Sequence, residues 1–290
     1  GFKNPRGASG APDRSERRAV AVERAERARA ALAECHLCAR ACGANRLRGE
    51  PGFCGAVGGP RIHMAQTEVG EERELIPSFT VAFSGCDLRC AFCITGASSW
   101  NPHIGTVLSA AALARRATAA LAGGARTVTV LGGEPTIHMP FLLELVAALP
   151  VEARLVLKTN GYGSDGSRAF LSGMFDVWCV DYKYGNDACA ARLAGAPGYS
   201  QVLQGNLVWA AHEADLIVRH LLMPGHLDCC WRPAAAWLGA HLPGVKVSLR
   251  TGFWPGWQAR RHAELNRSVT TLEARQARSI AAEHALHLVE

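Results

Sequence analysis

Six short β-rich runs, at 79–84, 126–131, 154–159, 176–182, 215–222 and 245–250, alternate with helical patterns along most of this chain. The helical patterns fall at about 108–122, 139–149, 166–173, 187–194, 198–212 and 233–241. Strands that alternate with helices imply parallel βαβ units, so the pattern predicts an α/β protein. Six such units are too few to close an eight-stranded barrel. A last helix is expected near 270–287, packed outside.

In parallel barrels the chemistry sits where the strands end. The motifs of this sequence obey that rule. Cys86–Cys93 follow the first strand, Gly132-Gly-Glu-Pro the second, Thr159-Asn-Gly the third and Asp181-Tyr-Lys the fourth. Arg219-His-Leu-Leu-Met-Pro-Gly closes the fifth.

The run Phe83-Ser-Gly-Cys86-Asp-Leu-Arg-Cys90-Ala-Phe-Cys93 carries the strongest chemical signal. Three thiolates this close can hold three corners of a cuboidal iron–sulfur cluster and leave the fourth iron without a protein ligand. An open coordination position separates a reactive metal centre from a structural one. The competing reading is a zinc knuckle, for which His103 is the only fourth ligand within a short loop.

The chain has 290 residues, 49% hydrophobic content and a net charge of +6. That length buries a real core, as one large domain or one domain with an appendage. Arginines in the first 30 residues alternate with glutamates, which reads as a solvated helix and not as a nucleic-acid stripe. No apolar signal core or 18-residue apolar stretch occurs, so a soluble, cytoplasmic protein without membrane contact is expected. In such a chain 11 cysteines point to metal or redox chemistry rather than disulfides.

Residues 1–14 are rich in Gly, Pro and Ser and are expected to be disordered. Residues 15–34 read as one helix with Ser15 as its cap, within an N-terminal leader spanning 15–75. The leader holds Cys35, Cys38, Cys42 and Cys54, four thiols that can close a tetrahedral site; zinc and an auxiliary iron–sulfur cluster both fit. A partial barrel over 76–255 and a C-terminal extension with a helix over 256–290 complete the expected layout.

The spacing Cys-x3-Cys-x2-Cys, with Phe92 just before the last cysteine, resembles the signature of the radical S-adenosylmethionine (SAM) superfamily. From Cys35 to about Asn266 the chain resembles the branch related to pyruvate formate-lyase activating enzyme. The four-cysteine leader, Gly132-Gly-Glu-Pro-Thr136, Lys183-Tyr-Gly185 and Arg219-His-Leu…Pro-Gly-His226 carry that likeness. It implies an open six-unit partial barrel, a catalytic 4Fe-4S cluster on Cys86, Cys90 and Cys93, and SAM on the fourth iron. Gly132, Gly133 and Glu134 would then serve the amino group of SAM. Lys183 would pair with its carboxylate, and Asp181 and Thr159 would hydrogen-bond its amino-acid end. Asn160 is a ribose contact by the same resemblance.

Such an enzyme takes one electron from a donor such as flavodoxin or ferredoxin and abstracts hydrogen from carbon. The expected substrate is a small molecule, with a sugar-containing natural product as the leading candidate. Cys189 opens a helix after the fourth strand and Cys229-Cys230 follow the fifth, so all three are expected at the cavity mouth. A thiol there can return hydrogen to a substrate radical, which turns abstraction into epimerisation; inert buried cysteines are the alternative. Cys179 lies within a strand and reads as core. Trp254 and Trp257 suit either stacking on a substrate or a hydrophobic lid. Two other readings stand beside this one: an activating enzyme that installs a glycyl radical on a partner protein, and a zinc-binding nucleic-acid module. The run Arg250-Thr-Gly-Phe-Trp departs from the Asp-Gln-Tyr type of sequence expected of an activating enzyme.

Overall fold

A computed structural model describes residues 12–70 and 72–289. Eight strands form one sheet in sequence order: β1 (Ile62–Glu68), β2 (Ser78–Phe83), β3 (Thr127–Gly132), β4 (Leu155–Thr159), β5 (Val177–Asp181), β6 (Asp215–Leu221), β7 (Lys246–Arg250) and β8 (His287–Leu288). β1 runs antiparallel to β2, and every later neighbour is parallel. The helices are α1 (Arg17–Ala30), α2 (Ala97–Trp100), α3 (Ala110–Ala122), α4 (Met139–Ala148), α5 (Asp165–Leu171), α6 (Asp187–Ala194), α7 (Tyr199–Glu213), α8 (Arg232–His241) and α9 (Thr271–Glu283). The architecture is an open partial α/β barrel, and the six expected strands are β2 to β7.

β1 and β8 lie where turns and a helix were expected. β1 carries a half-exposed Ile-His-Met-Ala-Gln-Thr-Glu pattern with little apolar signal. β8 is two exposed residues that extend the sheet beyond β7 once α9 has ended at Glu283. The helix is shorter than the apolar pattern suggests because its chain returns to the barrel.

Alternation along the parallel strands separates two environments. Outward residues such as Val81, Val130, Leu157, Val180 and Val218 meet the helices in the main core. On the other face Val156, Val177, Cys179 and Ile217 join Leu75, from the turn before β2, in a small apolar plug. Two residues further along the same strand faces come Lys158, Asp181 and Arg219, so the barrel changes from apolar to charged toward the strand ends. Cys179 is core, as its position within a strand suggests.

α1 is not merely solvated. Ala21, Ala25 and Ala28 form a buried stripe of small residues packed against α4. Arg17 Nη2 reaches Asp176 Oδ1 at 2.9 Å, which ties the helix to the start of β5. Ser15 does not cap it: Glu16 holds the cap position with no side-chain bond, and in the turn before it Asp13 Oδ1 accepts from the backbone N–H groups of Ser15 at 2.7 Å and Glu16 at 3.0 Å. The predicted disordered segment lies outside the described residues except for 12–14, where Arg14 pairs with Asp176 at 2.8 Å. Among the described residues no helix is long and apolar enough to cross a membrane.

Candidate active site

A cavity of about 1160 Å³ opens at the strand ends. Its wall includes Cys86, Cys90, Cys93, Phe92, Gly132, Gly133, Thr159, Asn160, Asp181 and Lys183, which were picked out separately in the sequence. One place in the fold therefore gathers the loops after β2, β3, β4 and β5.

The loop after β2 turns at Gly85, whose φ is +88°. It is docked on α6 through Arg89 N–H to Ala194 O at 3.0 Å and Ala91 N–H to Leu193 O at 2.8 Å. Each cysteine sulfur has polar company. Leu88 N–H donates to Cys86 Sγ at 3.3 Å, and Asn160 Nδ2 reaches the same sulfur at 3.6 Å. Tyr184 Oη donates to Cys90 Sγ at 3.5 Å, and Thr95 Oγ1 lies 3.2 Å from Cys93 Sγ. Burial pushes the Cys90 thiol up to about 11, against the pull of Lys183, and drives Cys86 up as well. His103 is exposed and off the cavity wall, so the knuckle reading lacks its fourth ligand.

The glycines after β3 are required by backbone packing. A Cβ on Gly133 would stand 2.0 Å from Gly85 O, and one on Gly132 2.2 Å from Phe83 O. Glu134 does not face the cavity. It is buried beneath it, where its Oε1 accepts from Thr136 and Thr159 hydroxyls at 2.8 Å each and its Oε2 accepts from Asn160 N–H at 2.8 Å. Burial and the neighbouring Asp87 push its carboxyl up to about 7. Glu134 is thus a buried brace for the loops that line the cavity.

Asn160 lines the cavity and also braces the protein around it. Its Nδ2 donates to Asp87 Oδ1 at 2.7 Å, and its Oδ1 accepts from Tyr162 N–H at 2.8 Å. Asp87 was not singled out in the sequence, having no signal beyond its place beside Cys86. It is fully buried, and its Oδ2 has no hydrogen-bond partner among the described residues.

Asp181 and Lys183 pair at 2.5 Å, and Arg219 Nε lies 3.7 Å from Asp181. Burial alone would raise the Asp181 carboxyl, but Lys183 and Arg219 hold it below its usual range. Sequence reasoning missed the charged floor next to this pair. Glu72, which is wholly buried, forms an ion pair with Lys158 at 2.9 Å and accepts from Arg250 at 3.0 Å and Ser248 at 3.2 Å. The only signal was that Lys158, Arg219, Ser248 and Arg250 alternate on apolar strands; Glu72 itself reads as part of a solvated Glu-Glu-Arg-Glu run.

Of the two rim tryptophans, Trp254 lines the cavity and is 60% exposed. Trp257 leaves the wall and packs edge-on against Trp100, with ring centroids 5.5 Å apart. Phe92 sits between Tyr184 and Phe253, at 6.1 and 5.9 Å.

The leader cysteines are dispersed in character. Cys35 and Cys54 are buried, Cys38 is half-buried and Cys42 is exposed, its sulfur lying toward Gly52. Among the described residues the one group of His, Cys, Asp or Glu drawn close enough for a single metal ion is not there but at Cys189, His226, Cys229 and Cys230. None of those three cysteines is on the cavity wall. Their expected place at its mouth is corrected: the first turn of α6 and the segment after β6 face each other, not the barrel interior.

The Radical SAM superfamily model matches residues 80–238, more than half of the chain. The chain belongs to the radical SAM superfamily. It is 29% identical over 275 residues to an uncharacterized protein of Methanocaldococcus jannaschii, covering 88% of this chain and 76% of that protein. It is also 31% identical to the pyruvate formate-lyase-activating enzyme of Staphylococcus aureus, over 35% of this chain and 43% of the relative. In fold it is similar to SuiB of Streptococcus suis, crystallised with the precursor peptide SuiA, at a TM-score of 0.54 and 14% identity over 70% of this chain and 46% of that one. Membership implies a 4Fe-4S cluster and SAM. The donor set fits: three thiols border one cavity, each with a hydrogen-bonding group at its sulfur, and their loop is anchored on α6.

Proposed function

We propose that the chain is a radical SAM enzyme acting on a small, anionic organic substrate, with Cys86, Cys90 and Cys93 holding the cluster. The observation that carries this reading is the arrival of those cysteines and the strand-end residues of β3, β4 and β5 on one cavity wall. When bound, the cluster and SAM supply a 5′-deoxyadenosyl radical at the expense of one electron from a flavodoxin- or ferredoxin-type donor.

The protein's own residues bind and exclude. Lys183 and Asp181 present a cation and an anion side by side, suited to the carboxylate and ammonium of an amino acid. Thr159 and Asn160 hold the β4 end in register with the cluster loop through Glu134 and Asp87. Phe92, Tyr184 and Phe253 close the apolar side against water. At about 1160 Å³ the cavity exceeds the roughly 300–1,000 Å³ of a pocket for one small ligand, which leaves room for a second molecule beside SAM.

Charge supports the substrate class. Among the described residues the cavity wall carries Lys183, Arg250 and Arg278 beside Asp181. Cations at that wall suit a carboxylate or phosphate on the substrate. A phosphorylated or acidic sugar satisfies this. Epimerisation through a thiol is not favoured, since no cysteine beyond the cluster triad borders the cavity among the described residues. Glycyl radical installation rests on the likeness to the activating enzyme over about a third of the chain.

Anaerobic reconstitution followed by dithionite and SAM tests the reading. Deoxyadenosine should form with the wild type and not with Cys90→Ala. An intact cluster without deoxyadenosine would overturn the enzymatic assignment. A protein-borne glycyl radical signal on a partner, with no small-molecule turnover, would favour the activase.

A further inference from the structure

One cluster of side chains outside the cavity is built like a metal site that the proposed chemistry does not use. Cys189 from the first turn of α6 meets His226, Cys229 and Cys230 from the segment after β6, and their ligand atoms all lie within 4.8 Å of one another. His226 Nδ1 stands 3.7 Å from Cys189 Sγ, 3.2 Å from Cys229 Sγ and 3.5 Å from Cys230 Sγ. Cys229 Sγ is 3.9 Å from each of the other two sulfurs. A tetrahedral zinc with Zn–S near 2.3 Å and Zn–N near 2.0–2.1 Å sets sulfurs about 3.8 Å apart and sulfur about 3.6 Å from nitrogen. The observed separations scatter around those values.

The backbone is shaped to allow this. Adjacent residues on an α-helix diverge by about 100°, so Cys229 and Cys230 would not both face one point. Here Leu227–Trp231 is π-helical, with Trp231 N–H donating to His226 O at 3.2 Å. Such wide turns are rare and recur at functional sites. Gly185 completes the packing, since a Cβ there would stand 2.2 Å from Cys230 O.

A supporting layer is also present. Asn186 Oδ1 accepts from Cys189 N–H at 2.8 Å, while its Nδ2 donates to Cys189 Sγ at 3.4 Å and to Cys229 O at 2.6 Å. Glu264 Oε1 lies 3.7 Å from His226 Nε2, the ring nitrogen that faces away from the sulfurs. A carboxylate behind the imidazole is the usual device for orienting a metal-bound histidine.

We propose that Cys189, His226, Cys229 and Cys230 bind one zinc ion as a closed, structural Cys3His site. All four positions come from the protein, so no substrate site is left on the metal. The ion clamps the loop after β5 to the loop after β6, directly behind Lys183 and Tyr184. The assignment does not depend on the radical reading, because it concerns a different metal held by different residues.

Metal analysis of the anaerobically purified full chain, with zinc-edge X-ray absorption, tests it. About one zinc per chain is expected, with three sulfurs near 2.3 Å and one nitrogen near 2.0–2.1 Å. That zinc should be lost in Cys229→Ser and Cys230→Ala, while iron is retained. The pattern should reverse in Cys90→Ala. His226→Cys preserves four ligands and should keep zinc, which guards against a variant that merely misfolds. Absence of zinc even after supplementation would overturn the proposal. So would zinc that survives Cys229→Ser but leaves with Cys38→Ser, loss of iron in Cys229→Ser, or a Cys189–Cys229 disulfide in the anaerobic protein.

Discussion

Replacing Gly133 by alanine probes how closely the end of β3 is pressed against the cluster loop. The added methyl would stand 2.0 Å from Gly85 O and 3.3 Å from Cys86 Cβ. Carbon and oxygen settle at about 3.3–3.6 Å even in favourable contacts, so about 1.3 Å must be found. The oxygen is backbone, and no rotamer can supply that room. The end of β3 must draw away, which stretches Gly133 N–H to Phe83 O at 2.8 Å and Glu134 N–H to Gly85 O at 2.9 Å. Overpacking costs about 1–3 kcal/mol, and each buried N–H left without an acceptor about 1–3 kcal/mol. Partial relaxation brings the expected loss to about 3–5 kcal/mol, near the upper end for point variants. At about 2–4 °C per kcal/mol, Tm should fall by roughly 6–20 °C. Gly59→Ala is the control, because Gly59 has nothing within 4 Å and no positive φ; its effect should stay within about 0.5 kcal/mol. Denaturant midpoints of both variants, with iron content after anaerobic reconstitution, decide the matter. A Gly133→Ala protein with the midpoint of the control and full iron would refute the packing argument.

Asp176 should govern the acid limb of stability. Burial alone would raise its carboxyl, but Arg17 and the Leu155 N–H hold it below its ordinary range. A depressed native pKa adds stability above the carboxylate range and loses it as pH falls through that pKa. Asp176→Asn should therefore cost about 3–5 kcal/mol at neutral pH and flatten the acid limb, read from unfolding midpoints across pH. Glu134 has the opposite sign: its carboxyl is raised from 4.5 to about 7, so wild-type stability should decline as pH rises through that window. Glu134→Gln should remove the slope and cost about 1–3 kcal/mol, because an amide N–H2 would face the donors of Asn160, Thr136 or Thr159. Lys183→Met should raise the SAM dissociation constant at least about tenfold, or about 1.4 kcal/mol, by equilibrium dialysis on cluster-loaded protein. Its effect on unfolding should be smaller than that of Asp176→Asn, since both members of the Asp181–Lys183 pair are partly exposed.

The parts of the fold that were legible in the sequence are those whose environment is uniform. β2 to β7 are near-continuous apolar runs because the helices cover one face and the barrel interior the other. β1 and β8 escaped notice because edge strands in solvent need no such run. The cavity residues were legible because they lie in the loops that follow strand ends, in short motifs rich in glycine, thiol or charge. Their roles were less so. Glu134 and Asn160 occupy motif positions yet spend their hydrogen bonds on neighbouring loops, and a sequence does not record which way a carboxylate turns. Glu72 was hidden for a related reason. Its partners Lys158, Ser248 and Arg250 come from β4 and β7, far along the chain, so no local pattern marks it as the buried anion of the floor.

The strand-end rule also explains the misplacement of Cys189, Cys229 and Cys230. It assigns a loop to one end of the barrel but not to a side of that end. A residue at the strand terminus itself, such as Asp181, inherits its direction from the alternation of β5 and faces inward. Cys189 lies eight positions later, inside α6, where direction is set by helix packing. Asn186 caps that helix so that its first turn meets the π-helical segment after β6. Two loops that leave adjacent strands at the same end must touch each other before either reaches the cavity. Thiols placed a turn beyond the strand ends are thus better positioned to join neighbouring loops than to serve a substrate, and His226, in the Pro-Gly-His turn, supplies the fourth donor at that junction.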